Sequence, residues 1–169
     1  MGTSKEAELI DELLSKLNDE DKLLCEPVIN ELLALDYIPK KHKKSNFVVK
    51  FEKYGRIIIK LEVGHDGLLK FHMRYSACTA YPEIFVKSAM QRNAAWVKRG
   101  QYWDNHDPNH CCGLCKGNPR LYHVVQDNGT EVDTCGGFTK HIQGVTYHDV
   151  PDILRMIKEQ DKYFTETFS

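Results

Sequence analysis

"FVVKFEKYGRIIIKLEVGHDGLLKFHMRY", residues 47–75, decides the fold. Apolar and polar residues alternate through it with a period of two, the signature of strands with one buried face. Phe47, Val49 and Phe51 point one way, and Val48, Lys50 and Glu52 the other. Tyr54-Gly55 makes a turn. Ile57, Ile59, Leu61 and Val63 then oppose Ile58, Lys60 and Glu62. His65-Asp66-Gly67 carries an Asp-Gly hairpin signal. Leu69, Phe71, Met73 and Tyr75 are the next inward set, with Lys70, His72 and Arg74 outward. The pattern predicts a three-stranded antiparallel meander. Its outward residues are basic, but Glu52 and Glu62 are interleaved with them, so cross-strand ion pairing accounts for them.

Helical patterns flank the meander. Ser4 is a cap for a helix bearing Leu9, Ile10, Leu13, Leu14 and Leu17. Asn18-Asp19-Glu20-Asp21 breaks it and offers a new cap. The second helix carries Leu24, Val28, Ile29, Leu32, Leu33 and Leu35, with Pro27 placed near its start, where a missing N–H costs least. Residues 1–38 are thus a helical hairpin segment, and Pro39 to Ser45 a polar connection. Its lysines, Lys40, Lys41, Lys43 and Lys44, read as a solvated turn. A third helix is expected from residue 82 to about residue 99. A last one begins at Asp149, with Pro151 in its first turn, Asp152 in capping-box position, and Ile153, Leu154, Ile157, Tyr163 and Phe164 as its apolar stripe. Leu121–Val125 and Glu131–Cys135, joined through Asp127-Asn128-Gly129, form a C-terminal hairpin. The order of elements predicts one α+β domain over 1–169: an antiparallel sheet, made of the meander plus the hairpin, packed against N-terminal, central and C-terminal helices. Residues 106–145 form a cysteine-rich loop and hairpin subregion.

Composition narrows the function. The chain is 41% hydrophobic, enough for a real core, and carries a formal charge of -1. Affinity for nucleic acid needs an excess of Lys and Arg, so nucleic acid is not an expected partner. No apolar run spans a membrane and no apolar leader precedes Ser4, so a soluble protein of the cytoplasm is expected, with reduced thiols. Its ligand, a small molecule or a protein, is not read from the residues.

The chemistry concentrates in "HCCGLCKGNPRLYHVVQDNGTEVDTCGGF", residues 110–138, which holds four of the six cysteines. Cys112-Gly113-Leu114-Cys115 presents two thiolates on one turn, and the hairpin returns Cys135 toward Cys115. The arrangement resembles half of a zinc ribbon, with the second knuckle reduced to Cys135. Zinc is the expected metal, and iron suits the same donors. His110 ranks first as fourth ligand and Cys111 second; His141, His123 and Cys78 are further candidates. Two readings stand beside it. The thiols can be buried hydrophobes. Alternatively, the chain is an enzyme, in which Cys112 and Cys115 exchange a disulfide or a metal centre acts with Glu131 or Asp133 as base. The first-ranked expectation is a binding or regulatory protein with a structural zinc.

Overall fold

The computed structural model describes residues 4–43, 46–90, 121–125, 128–134 and 136–169. Helices α1 (Ser4–Leu14) and α2 (Asp19–Ala34) come first. Strands β1 (Ile38–Lys41), β2 (Phe47–Lys53), β3 (Arg56–Val63) and β4 (Leu69–Met73) follow, then helix α3 (Glu83–Met90). Strands β5 (Tyr122–Val125), β6 (Glu131–Thr134) and β7 (Lys140–Ile142) precede the C-terminal helix α4 (Val150–Phe168).

Among the described residues the sheet has five strands, in the order β1-β2-β3-β4-β7, all antiparallel. The expected meander is its centre. The expected hairpin, β5-β6, forms a separate two-stranded sheet. Two edge strands escape the pattern of alternation. β1 contains Pro39, whose missing N–H is tolerated on an edge. β7 is three residues long, too short to show a period.

Local signals set the helix ends. Asn18 Oδ1 accepts the Asp21 N–H at 2.8 Å, and Asp19, Glu20 and Asp21 fill the first turn of α2, where the helix dipole favours negative charge. Pro27 lies inside α2 and not near its start. The carbonyl a residue at 27 would normally use belongs to Leu23, which is exposed and so open to water. At the other end, Tyr37 N–H donates to the Leu32 carbonyl and Asp36 N–H to that of Leu33, with Asp36 at φ 63°. That is a Schellman closure with an aspartate where glycine is at home. Asp36→Gly is therefore expected to stabilise the fold by about 1 kcal/mol, read as a raised urea midpoint with an unchanged slope. The Asp149 carboxylate accepts from the Thr146 N–H at 2.8 Å and from its hydroxyl at 3.0 Å, so the capping interaction falls one turn before Asp152.

The inner face of the sheet packs on the helices. Val49, Phe51, Ile59, Leu61, Val63, Phe71 and Met73 meet Leu13 of α1, Leu24, Val28 and Ile29 of α2, and Ile153, Met156, Ile157 and Phe164 of α4. A register shift at Phe51/Glu52 opposes two residues to one, and Ile58 joins the core with Ile59. α4 also satisfies the irregular segment after β4. Gln160 accepts the Ala77 N–H at 3.0 Å, Glu159 the Thr79 N–H at 3.0 Å, and Arg155 donates to the Ala80 carbonyl at 3.1 Å. A tyrosine cluster anchors the β5-β6 hairpin. Tyr122 is fully buried, lies edge-on to Tyr75 at 4.7 Å, and donates its hydroxyl to the Phe138 carbonyl at 3.1 Å. Thr134 donates to the Ala89 carbonyl of α3 at 3.0 Å.

Candidate functional site

The outer face of the sheet collects charge in one place. Cross-strand register pairs Lys40 with Lys50, Lys50 with Lys60, Lys60 with His72, and His72 with His141. Each residue comes from a different strand, so the five form one continuous row on one face. The expected ion pairs flank it. Glu52 takes Lys40 Nζ at 2.9 Å and Lys50 Nζ at 2.8 Å. Glu62 accepts from Asn46 at 2.6 Å and lies 3.8 Å from both Lys70 Nζ and His72 Nε2. The His72 and His141 rings stack with centroids 4.9 Å apart.

This face is not a fully hydrated one. The side chains of Lys50 and His72 are each 23% exposed, and that of Glu62 only 11%. The consequences show in the titrating groups. Hydrogen bonds from Lys50 and Lys40 hold the Glu52 carboxyl below its ordinary range, against the opposing effect of burial. Burial first, and then the Lys70 charge, lower the His141 imidazole, with Glu62 pulling the other way. Arg74 does not join the face as expected. β4 ends at Met73, and the Arg74 guanidinium turns to lie 5.7 Å from the Phe164 ring of α4 and donates to the Gly137 carbonyl.

Sequence reasoning placed Lys50, Lys60, Lys70 and His72 together but left out two members of the row. Lys40 was hidden because Pro39 makes its strand read as a loop. His141 was weighed only as a metal ligand, since β7 has no periodic signal of its own. Register across strands, not spacing along the chain, brings these residues together.

His110, Cys111, Cys112, Cys115 and Cys135 lie outside the described residues, as does the proposed redox pair. Among the described residues no group of three or more His, Cys, Asp or Glu could hold a metal ion. The further ligand candidates are spread apart. His141 is in the sheet, stacked on His72. His123 is exposed on β5, 3.9 Å from Glu131. Cys78 is buried and donates its thiol to the Met156 carbonyl at 3.3 Å. The other described cysteine, Cys25, is fully buried in α2, and burial pushes its thiol up to about 12, which leaves it protonated and unreactive. Burial likewise holds the phenols of Tyr75 and Tyr122 far above their ordinary range. Among the described residues no helix is long and apolar enough to cross a membrane. No family model, no curated protein and no solved structure matches the chain.

Proposed function

We propose that the chain is a small binding or regulatory protein of the cytoplasm, its C-terminal hairpin held by a structural zinc. His110, Cys112, Cys115 and Cys135 are the ligands, with Cys111 as the alternative to His110; iron would use the same donors. One observation carries the reading. Tyr122 pairs with Thr134 across the hairpin, so its two open ends lie side by side. Cys135 follows Thr134 directly, and Cys115 precedes Leu121 by a span of chain that reaches at most about 20 Å when extended. Both thiols can therefore meet at the open end of β5-β6.

The hairpin has a physical need for such a tie. Two strands of four residues each are marginal by themselves in water. Tyr122 and Val124 dock one strand on the core, and Thr134 holds the other to α3. A zinc at the open end would close the remaining freedom. Binding is favoured over catalysis because the Cys25 thiol and the Tyr75 and Tyr122 phenols are buried in their neutral forms, where they serve packing and not proton transfer.

Metal analysis of the purified protein by mass spectrometry tests the reading, paired with thiol counting before and after denaturation. The expected result is about one zinc per chain, the general stoichiometry of a closed four-ligand site, with the cluster's thiols protected until unfolding. Cys115→Ser should lose the metal and the hydrogen-exchange protection of β5 and β6, while β2, β3 and β4 keep theirs. A metal-free protein in which Cys112 and Cys115 oxidise readily to one another would overturn the zinc site and favour a thiol enzyme.

A further inference from the structure

The turn of the β5-β6 hairpin holds a pair of residues with chemistry of its own. Asn-Gly suits a hairpin turn for conformational reasons, because both residues tolerate positive φ. The same pair also sets a side-chain amide beside a backbone nitrogen that no Cβ shields. Asn128-Gly129 is the only Asn-Gly sequence in the chain. Asn128, Gly129 and Thr130 are all exposed, so water and hydroxide reach them. Gly129 sits at φ 78°, and a Cβ built on it would meet no atom within 4 Å.

Folding adds a contact that the sequence pair alone does not supply. The Thr130 N–H donates to Asn128 Oδ1 at 2.9 Å. That bond curls the Asn128 side chain over the Gly129 amide that lies between the two residues. It also places a donor on the oxygen where negative charge collects when Cγ is attacked, and a donor already in position stabilises such charge. The β3-β4 turn is built in the same way. Leu68 N–H donates to Asp66 Oδ1 at 3.1 Å, with Gly67 at φ 76°. Asp66 carries no amide nitrogen to lose, so the two turns share a geometry and differ in what it can produce.

We propose that Asn128 is a self-modification site, which loses its amide nitrogen by cyclising onto Gly129. The Gly129 nitrogen gives its proton to hydroxide and attacks Asn128 Cγ. The bond from that nitrogen to Cγ forms, the Cγ–Nδ2 bond breaks, and Nδ2 takes a proton from water and leaves as ammonia. The product is a succinimide ring. One water then opens it. Opening at the side-chain carbonyl leaves aspartate at position 128, and opening at the main-chain carbonyl leaves isoaspartate. The net change is one water consumed and one ammonia released, with no oxidation or reduction.

The modification acts on the part of the hairpin least able to absorb it. Isoaspartate routes the main chain through Cβ and so lengthens the turn. Either product adds a negative charge three residues before Glu131. The strands hold four residues each and are marginal by themselves, so the Val125–Glu131 pair next to the turn should loosen first. The Tyr122–Thr134 pair lies at the opposite end of the hairpin, where the cysteines join it. The proposal therefore stands apart from the zinc reading.

The test is timed incubation of the full-length protein in mildly alkaline buffer, native and unfolded in urea. Peptide mass spectrometry follows amide loss at each asparagine, and labelling by an isoaspartyl methyltransferase counts isoaspartate. The expected result is that Asn128 loses its amide at least as fast in the native chain as in the unfolded one, and faster as pH rises. Asn30, exposed but held within α2, keeps its amide in the native chain. Thr130→Pro removes the donor to Oδ1 and should slow the native reaction about fivefold, the worth of one hydrogen bond, while leaving the unfolded rate unchanged. Gly129→Ala crowds the attacking nitrogen and should slow both by about tenfold or more. An unshifted amide spectrum for the core residues checks that each variant is folded. The proposal is overturned by a native rate at Asn128 below that of the unfolded chain, by amide loss at Asn30 as fast as at Asn128, or by an undiminished native rate in folded Thr130→Pro or Gly129→Ala.

Discussion

Phe71→Ala is expected to cost about 3–5 kcal/mol, the range for removing a fully buried aromatic ring. The ring is 1% exposed on β4, in register with Leu61 of β3 on one side and Ile142 of β7 on the other. Its removal leaves a hole bounded by ladders of backbone hydrogen bonds, which close it poorly. The effect should not be uniform. β7 holds only three residues and, among the described strands, pairs with β4 alone, so its contact with Phe71 is a large share of what keeps it in the sheet. Denaturant titration should show the lowered midpoint. Hydrogen exchange should show β7 amides opening before those of β2 and β3. Leu68→Ala, at a side chain 62% exposed in the β3-β4 turn, is expected to stay within about 0.5 kcal/mol of the parent. A loss at Phe71 no larger than that at Leu68 would mean that the ring is not part of the core.

Phe71 also marks where the sequence could and could not be read. Its own orientation was legible, because the alternation of β4 repeats over enough residues to define a face. The same holds for Val49 and Phe51 on β2, and for Ile59 and Leu61 on β3. Its partner Ile142 was not legible. Three residues between turns carry no period, and pairing of β7 with β4 is settled by tertiary packing. β1 was hidden for a different reason. Its two lysines look like a hydrated turn, yet they divide between the faces. Lys40 joins the outer row, while Lys41 reaches Glu12 of α1 at 3.1 Å and covers the Phe47 ring at 4.6 Å. Ile58 enters the core only because of the register shift, which no alternation rule anticipates. The ion pairs of the outer face followed from the interleaving of Glu52 and Glu62 with the lysines, but the length of the cationic row did not. It needs the two edge strands, the elements the sequence concealed. The cysteine stretch is legible in sequence as a cluster, and its cysteines lie outside the described residues.

The C-terminal helix gives a second case in which a residue type contradicts its place. Asp161 falls on the buried face of α4, beside Ile157 and Phe164, where an apolar side chain would be expected. It is there to meet Lys53 at the end of β2. The two charges are 2.8 Å apart, and their side chains are only 12% and 15% exposed. The Lys53 ammonium also lies over the rings of Tyr37 and Tyr54, at 5.5 and 5.3 Å. Burial, followed by the charge of Asp161, holds the Tyr37 phenol well above its ordinary range, so the phenol stays neutral beside the pair. Asp161→Ala is expected to destabilise the protein by about 3 kcal/mol, because it leaves a nearly buried ammonium without its counter-charge. The remaining aromatic faces replace part of that attraction, which keeps the cost at the lower end for a broken buried pair. Joint replacement, Lys53→Met with Asp161→Leu, removes both charges together with their desolvation cost and should lie within about 1 kcal/mol of the parent. Lys162→Ala, next in the chain but 77% exposed and 3.9 Å from Glu166, should shift stability by no more than about 0.5 kcal/mol. Urea titration of the three variants separates the explanations. A double variant as weak as Asp161→Ala would show that Asp161 acts through packing, and a single variant as stable as the parent would show that water reaches Lys53. The expected ordering instead makes the pair a device for placement. It fixes α4 against the β2-β3 hairpin at one register, because any slide of the helix that separated the two charges would leave both of them stranded in the interior.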